Sequence, residues 1–170
     1  MTTWARMAIV STLAAVAGTI TARPAAAQGL GYGIAGPAGY TGFFGSSSSL
    51  AVHAAGGGEI LAWGRFGAAG EFGLLAGPDS GLFITSVNAV LHVVPSVPTP
   101  VRSRTSPFIT GGYSRASSGE GAFDAWNIGA GADVWLKPRV GVRIDVRDHI
   151  RLDDRGGVHY WAVRGGVVFR

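Results

Sequence analysis

Cysteine is absent from this chain of 170 residues. Its absence excludes disulfide bridges, thiolate metal sites and cysteine nucleophiles. Charge is also scarce, because Asp, Glu, Lys and Arg make up 14% of the residues, against about 25% in ordinary soluble domains. Hydrophobic residues account for 47% of the chain, and 28 residues are glycine. A water-soluble surface is hard to build from so few charged side chains.

The N-terminal segment has the organisation of an export signal. Arg6 precedes an apolar run over residues 7–17, and Ala27 ends an A-x-A cleavage pattern. We predict a signal peptide over residues 1–27, cleaved after Ala27, and a single domain over residues 28–170. A membrane anchor is the alternative, but the run is shorter than the roughly 20 apolar residues that a spanning helix needs. No later stretch is long and apolar enough for such a helix, so any membrane span in the mature chain has to be a closed barrel.

The net charge is a modest +4. Cleavage would remove two of the positive charges, those of Arg6 and Arg23. The remaining net charge is small and evenly spread, so it forms no basic patch that nucleic acid could bind. We therefore expect no nucleic-acid partner.

Alternation with period two dominates the chain after the leader, which is typical of β-strands, and helical periodicity is not sustained anywhere. The stretch VGVRIDVRDH puts Val142, Ile144 and Val146 on one face and Arg143 and Asp145 on the other. The same rule applies to WNIGAGADVWL and to HYWAVRGGVVFR. We predict eight strands, within residues 29–35, 48–61, 66–75, 83–94, 108–114, 126–136, 140–149 and 159–170.

The segments between the strands fall into two sets that alternate along the chain. One set lies on the side of the N-terminus, and the other set, on the opposite side, is rich in Gly, Ser and Asp, as exposed loops usually are. This alternation predicts an up-and-down meander. The turns on the N-terminal side cover residues 63–65, 95–107 and 137–139, and the exposed loops cover residues 37–48, 77–81, 117–125 and 150–157.

The direction of the alternation separates a soluble barrel from a membrane barrel. Soluble antiparallel barrels point their apolar residues inward, whereas outer-membrane barrels turn them to the lipid and keep a polar interior. Most strands here carry one or two charged residues, too few for a water-exposed surface, and the same face carries many glycines, which suit a narrow lumen. We predict an all-β fold, an eight-stranded antiparallel up-and-down transmembrane β-barrel with a polar, filled lumen. The predicted lumen network comprises Glu59, Glu71, Asp133, Arg143, Asp145, Arg147 and Arg164.

One ion pair and an aromatic belt follow from this arrangement. Asp133 and Arg143 are each five residues from Pro138, so a symmetric turn places them opposite each other on the lumen face. Burial of either charge is costly without a partner.

Aromatic residues near the strand ends match the interfacial girdles of membrane barrels. The predicted belt comprises Trp63, Phe66, Phe83, Trp126, Trp161 and Phe169.

With these features the chain resembles the small outer-membrane β-barrel domains, the eight-stranded kind with the topology of the transmembrane domain of outer-membrane protein A. The resemblance covers the whole mature chain and is carried by the leader, the hairpin spacing, NIGAGADVWL, VGVRIDVRD and the final RGGVVFR. It implies export to the outer membrane and insertion by the barrel assembly machinery. Members of this family commonly end in an aromatic residue, whereas here Phe169 is followed by Arg170.

Three other interpretations stay open at this point. A secreted soluble barrel of lipocalin type, with an apolar ligand inside, would turn the valines of VGVRIDVRDH inward. A lipid-modifying outer-membrane enzyme would need a serine such as Ser114, Ser117 or Ser118 within hydrogen-bond reach of His149. The loop DHIRLDDRGG carries Asp148 and two further aspartates, whose oxygens suit calcium, but Arg147 precedes them and Arg151 and Arg155 lie within the loop.

A barrel of eight strands has room for side chains and little else. We therefore predict a structural or surface-interaction role without an open pore, and no enzymatic activity, cofactor or metal. The expected partners are outer-membrane lipids and lipopolysaccharide, together with the assembly machinery during biogenesis. We expect a monomer in the cell outer membrane, and the sequence identifies no partner for the loops.

Overall fold

A computed structural model describes residues 27–42, 48–62, 64–77, 81–94, 104–119, 121–153 and 156–170. The proposed signal peptide, apart from its last residue, lies outside these ranges, and so does Trp63.

Eight antiparallel strands form one closed barrel in which each strand pairs with its neighbours in the chain and β1 pairs with β8. The predicted eight-stranded up-and-down barrel is therefore confirmed. We call the end where β1 begins and β8 ends the terminal end, and the opposite end the far end. The strands are β1 Ala27–Gly42, β2 Ser48–Ala62, β3 Phe66–Ala76, β4 Gly81–His92, β5 Thr105–Ser118, β6 Gly121–Lys137, β7 Val140–Asp153 and β8 Gly156–Phe169.

The register fixes how strongly the strands tilt. A path of paired residues once around the barrel starts at Gly31 and returns to the same strand at Thr41, ten residues further along. A stagger of this size in eight strands corresponds to a tilt on the order of 40° and leaves an interior that side chains can fill. The path runs through Gly58, Gly70, Val87, Tyr113, Trp126, Ile150 and His159.

The far-end loops are shorter than the sequence predicts, because the strands continue into three of the four regions assigned to loops. Pro37 lies inside β1, where the pairing with β8 passes from Ala35 to Ala38 without pairs between them. Proline has no N–H to donate. The strand nevertheless continues past Pro37, and only the hydrogen-bond ladder between β1 and β8 is interrupted there. The predicted loops at 117–125 and 150–157 were likewise wrong in extent, since β5, β6 and β7 occupy most of them.

The terminal-end turn between β4 and β5 differs from the prediction, whereas the turn at 63–65 has the predicted extent, since β2 ends at Ala62 and β3 begins at Phe66. Pro107, assigned to a turn, lies in β5, and its carbonyl accepts a hydrogen bond from the Val93 amide at 2.9 Å. Between β2 and β3, Gly64 has a φ of 66°, a backbone conformation that glycine adopts without steric cost.

The apolar face of the strands points outward. Ile144 and Val146 are 54% and 51% exposed, whereas Arg143, Asp145 and Arg147 are at most 3% exposed. The prediction of an inverted alternation is confirmed, and the alternative of a soluble barrel with an apolar interior is wrong. Similar outward-facing residues occur on other strands, including Val52, Ile60, Phe72, Leu74, Val87, Ile109, Ile128, Leu136, Val163 and Val167.

Three apolar clusters lie inside the barrel, one towards each end and a smaller one of Ala69, Val90 and Phe108. The cluster near the terminal end comprises Leu30, Tyr32, Ile34, Leu61, Trp135 and Val168. The cluster towards the far end comprises Leu75, Ile84 and three alanines, and the rings of Phe123 and Tyr160 pack against it. The described residues include no helix long and apolar enough to cross a membrane.

Candidate functional site in the barrel lumen

Four charged or ionisable side chains form a connected group near the terminal end, which we call the terminal cluster: Glu59, His92, Asp133 and Arg143. Arg143 binds Asp133 in a bidentate manner, with its Nε 2.7 Å from Oδ1 and its Nη2 2.9 Å from Oδ2. The same Nη2 donates to Glu59 Oε2 at 3.1 Å. The pairing of Asp133 with Arg143 that the symmetric turn predicts is present, since the two are register partners on β6 and β7.

Two aromatic rings hold the Arg143 guanidinium in place. Its central carbon lies 4.3 Å from the centre of the Tyr32 ring and 4.6 Å from that of Phe108. A guanidinium over a ring face is attracted by the ring quadrupole, most strongly when water is excluded. Arg143 is therefore held by carboxylates at its edge and by rings over its faces.

A second charged group, the central cluster, lies between the terminal cluster and the far end: Glu71, Asp145, Arg147 and Arg164. Arg164 is almost fully buried and is the best-paired of its cations. Its Nε and Nη2 donate to the two oxygens of Asp145 at 2.8 and 2.6 Å, and its Nη1 donates to Glu71 Oε1 at 2.6 Å. Arg147 makes longer contacts, 3.4 Å to Asp145 and 3.5 Å to Glu71.

The two clusters are joined by Tyr32, whose hydroxyl donates to Glu71 Oε2 at 3.1 Å while its ring packs against Arg143. These charge-assisted hydrogen bonds are stronger than neutral ones, and a buried charge without them would be strongly destabilising. The lumen thus contains one continuous network of charged and polar side chains that connects β1, β2, β3, β4, β6, β7 and β8.

A layer of neutral polar side chains follows towards the far end. The Ser86 and Ser114 hydroxyls lie 2.8 Å apart, and Asn127 donates to Ser114 Oγ at 2.9 Å. Beyond this layer a cavity of about 10 Å³ lies among Ser114, His149, Phe123, Tyr160 and apolar neighbours. Such a volume holds at most about one water molecule.

All seven side chains of the predicted lumen network lie inside the barrel, and each is at most 5% exposed. The structure also brings into the network three residues that the sequence analysis did not include, namely Tyr32, His53 and His92. Alternation along β2 and β4 already puts both histidines on the lumen face. Which residues meet across the barrel depends on the tilt and stagger of the strands, which alternation does not reveal.

The described members of the predicted aromatic belt all face outward, with exposures between 37% and 61%. Phe66 and Phe169 lie at the terminal end, because one begins β3 and the other ends β8. Phe83, Trp126 and Trp161 lie towards the far end, where the Trp126 ring meets that of Tyr113 edge to face at 6.2 Å. This distribution forms two girdles, as in transmembrane barrels.

Ser114 and His149 line the same small cavity, but no hydrogen bond joins these two described side chains. Ser114 is hydrogen-bonded to Ser86 and Asn127, and Ser117 contacts the Phe83 carbonyl at 3.5 Å. His149 Nε2 is buried without a hydrogen-bond partner. Among the residues that the structure describes, no three His, Asp or Glu side chains form a group that could hold a metal ion.

Comparison with known proteins identifies relatives by structure alone. No protein-family model and no curated protein sequence matches the chain. Among solved structures, Neisserial surface protein A (NspA) superposes with a TM-score of 0.68 at 13% identity, over 84% of this chain and 97% of that one. The fold is that of the small outer-membrane β-barrels.

Two further structures have the same fold. The N-terminal β-barrel domain of Pseudomonas aeruginosa OprF matches with a TM-score of 0.60 at 18% identity, over 84% of this chain and 98% of that domain. The outer membrane protein OprG from Pseudomonas aeruginosa matches with a TM-score of 0.50 at 9% identity, over 83% of this chain and 95% of its own length. Together with the apolar exterior and the charged interior, this fold makes the chain an outer-membrane β-barrel protein.

Proposed function

We propose that this protein is a sealed outer-membrane barrel with a structural role, which presents its far end at the cell surface and conducts no solute. The observation that carries the proposal is the filled lumen, in which an ionic network is stacked between two apolar clusters. An interior of this width filled with paired side chains leaves no continuous water path.

The short far-end connections support a structural role over binding through long loops. Five residues separate β1 from β2, four separate β3 from β4, and two separate each of the remaining far-end pairs. Recognition at the cell surface would therefore depend on the rim of the strands. Arg115 and Asp124 form an exposed ion pair on this rim, with their side chains 2.9 Å apart. The pair lies beside the aromatic girdle of the far end, at the level where lipopolysaccharide headgroups would lie.

The remaining parts of the proposal concern biogenesis and assembly. A cleaved signal peptide over residues 1–27 would deliver the chain for insertion by the barrel assembly machinery. We further propose that the protein acts as a monomer without enzymatic activity or a cofactor. The first of these absences is supported by the hydrogen bonds of Ser114, which go to Ser86 and Asn127 and not to His149.

Conductance across planar lipid bilayers tests the closed lumen. The purified, folded barrel is expected to give no discrete current steps above the bare bilayer, while a general porin in the same bilayer provides the positive control. Stable single-channel openings of the unmodified chain would refute the closed barrel.

Complementation in cells tests the structural role. Removal of the protein is expected to raise the sensitivity of cells to detergent, and the wild-type chain and a variant with Arg115→Ala and Asp124→Ala are both expected to restore resistance. Restoration by the wild type alone would instead favour a surface-interaction role for the strand rim.

A further inference from the structure

The charges of the lumen do not balance through arginine alone. Among the described residues, the buried carboxylates are Glu59, Glu71, Asp133 and Asp145, and the buried guanidiniums are Arg143, Arg147 and Arg164. Four negative groups thus face three positive ones in an interior with little room for a counter-ion. An uncompensated charge in such surroundings is costly.

The hydrogen bonds around His92 determine where its protons lie. Ser106 Oγ donates to the Val94 carbonyl at 2.7 Å, and a hydroxyl has a single proton to donate. The contact of 2.8 Å between Ser106 Oγ and His92 Nδ1 therefore requires a proton on Nδ1. On the other side of the ring, Nε2 lies 2.7 Å from Glu59 Oε1, and this contact also requires a proton.

The second proton belongs on the histidine. Glu59 receives a hydrogen bond from Arg143 through its other oxygen, and a neighbouring guanidinium favours the ionised form of a carboxyl group. The groups that face His92 from the packed strands are Glu59 on β2, Ser106 and Phe108 on β5, and Arg143 on β7.

We propose that His92 carries a proton on both ring nitrogens in the folded barrel and provides the fourth buried cation, which balances the four buried carboxylates among the described residues. His53 provides the contrast within the same lumen. Arg164 Nη1 lies 3.5 Å from His53 Nδ1, and because arginine only donates, that nitrogen has to be the unprotonated one. His53 and His92 therefore differ by one proton.

Nitrogen NMR of ¹⁵N-histidine-labelled barrel in detergent micelles tests this assignment. Signals are assigned with His92→Gln and His53→Gln. At neutral pH, both ring nitrogens of His92 are expected to carry protons, whereas His53 carries one. A single protonated nitrogen on His92 in the folded wild-type barrel would overturn the proposal.

Unfolding measurements with matched variants provide a second test. His92→Gln leaves Glu59 with one neighbouring cation, Arg143, in place of two, and is expected to shift the equilibrium towards the unfolded state about a hundredfold, as for other broken buried pairs. The double variant His92→Gln with Glu59→Gln removes one charge of each sign and is expected to recover most of this loss. Equal losses in the single and double variants would contradict the charge balance.

Discussion

Arg164→Met is the substitution that most severely challenges the central cluster. Methionine has a similar length and no charge, so it fills the space but leaves Asp145 and Glu71 without the three hydrogen bonds of 2.6 to 2.8 Å that Arg164 donates. Arg147 remains within 3.5 Å of both carboxylates and compensates for part of the loss. Removal of one partner from a buried ion pair costs about 3–5 kcal/mol, and we expect a loss of about 4 kcal/mol in the free energy of unfolding.

The assay is reversible urea unfolding of the barrel in lipid vesicles, followed by tryptophan fluorescence and by migration on unboiled gels. Arg115→Met is the matched control, because it makes the same chemical change in an exposed ion pair. An exposed pair contributes about 1 kcal/mol or less to the free energy of unfolding. A triple variant with Arg164→Met, Glu71→Gln and Asp145→Asn removes the orphaned charges and is expected to be more stable than Arg164→Met alone. Equal effects of Arg164→Met and Arg115→Met would refute the reasoning that buried pairing holds the lumen together.

Two further predictions concern the space inside the barrel and the lipid around it. Gly131→Val would place a Cβ 2.6 Å from the Phe108 ring and 2.7 Å from Asp145 Cβ, so we expect a loss of about 1–3 kcal/mol from overpacking. Gly70→Val is the control, because Gly70 faces outward and a Cβ added there has nothing within 4 Å. This variant is expected to change the urea midpoint little. Equal losses of stability in Gly131→Val and Gly70→Val would show that the space around Gly131 is not confined. Ile144→Arg places a cation on the lipid face and is expected to lower the free energy of unfolding in vesicles by about 2–4 kcal/mol. The control Ile144→Val is expected to lower it by less than about 1.5 kcal/mol. Equal stability of the arginine variant and the wild type would mean that this face does not contact lipid.

Alternation was sufficient to predict the barrel from the sequence, because successive residues of a strand point to opposite faces and most of the charges in these strands lie on one face. VGVRIDVRDH is the clearest example, since Ile144 faces outward and Arg143 and Asp145 face the lumen. Strand ends were harder to predict. Proline and glycine usually interrupt strands, but closed barrels tolerate a local gap, so β1 continues beyond Pro37.

The carboxylates and guanidiniums of the lumen network were predictable from the sequence, but its other members were missed and its contacts were only partly predictable. Asp133 and Arg143 meet across a short hairpin, so counting from Pro138 was enough to pair them. Glu71 and Arg164 meet at 2.6 Å from strands that are not neighbours. That contact depends on the stagger of the whole barrel, which no local pattern specifies. The role of His92 depends in addition on the hydroxyl of Ser106, and it could be inferred only from the positions of all the surrounding donors and acceptors.

The measurement that tests the account most directly is fractionation of cells that express the protein, followed by gels of boiled and unboiled membrane samples. A closed barrel with its apolar face in the lipid predicts a protein in the outer-membrane fraction that migrates differently before and after boiling, because a folded barrel resists the detergent until it is heated. A soluble periplasmic or secreted protein with a single, heat-independent mobility would contradict the outward orientation of the apolar face and the location that follows from it.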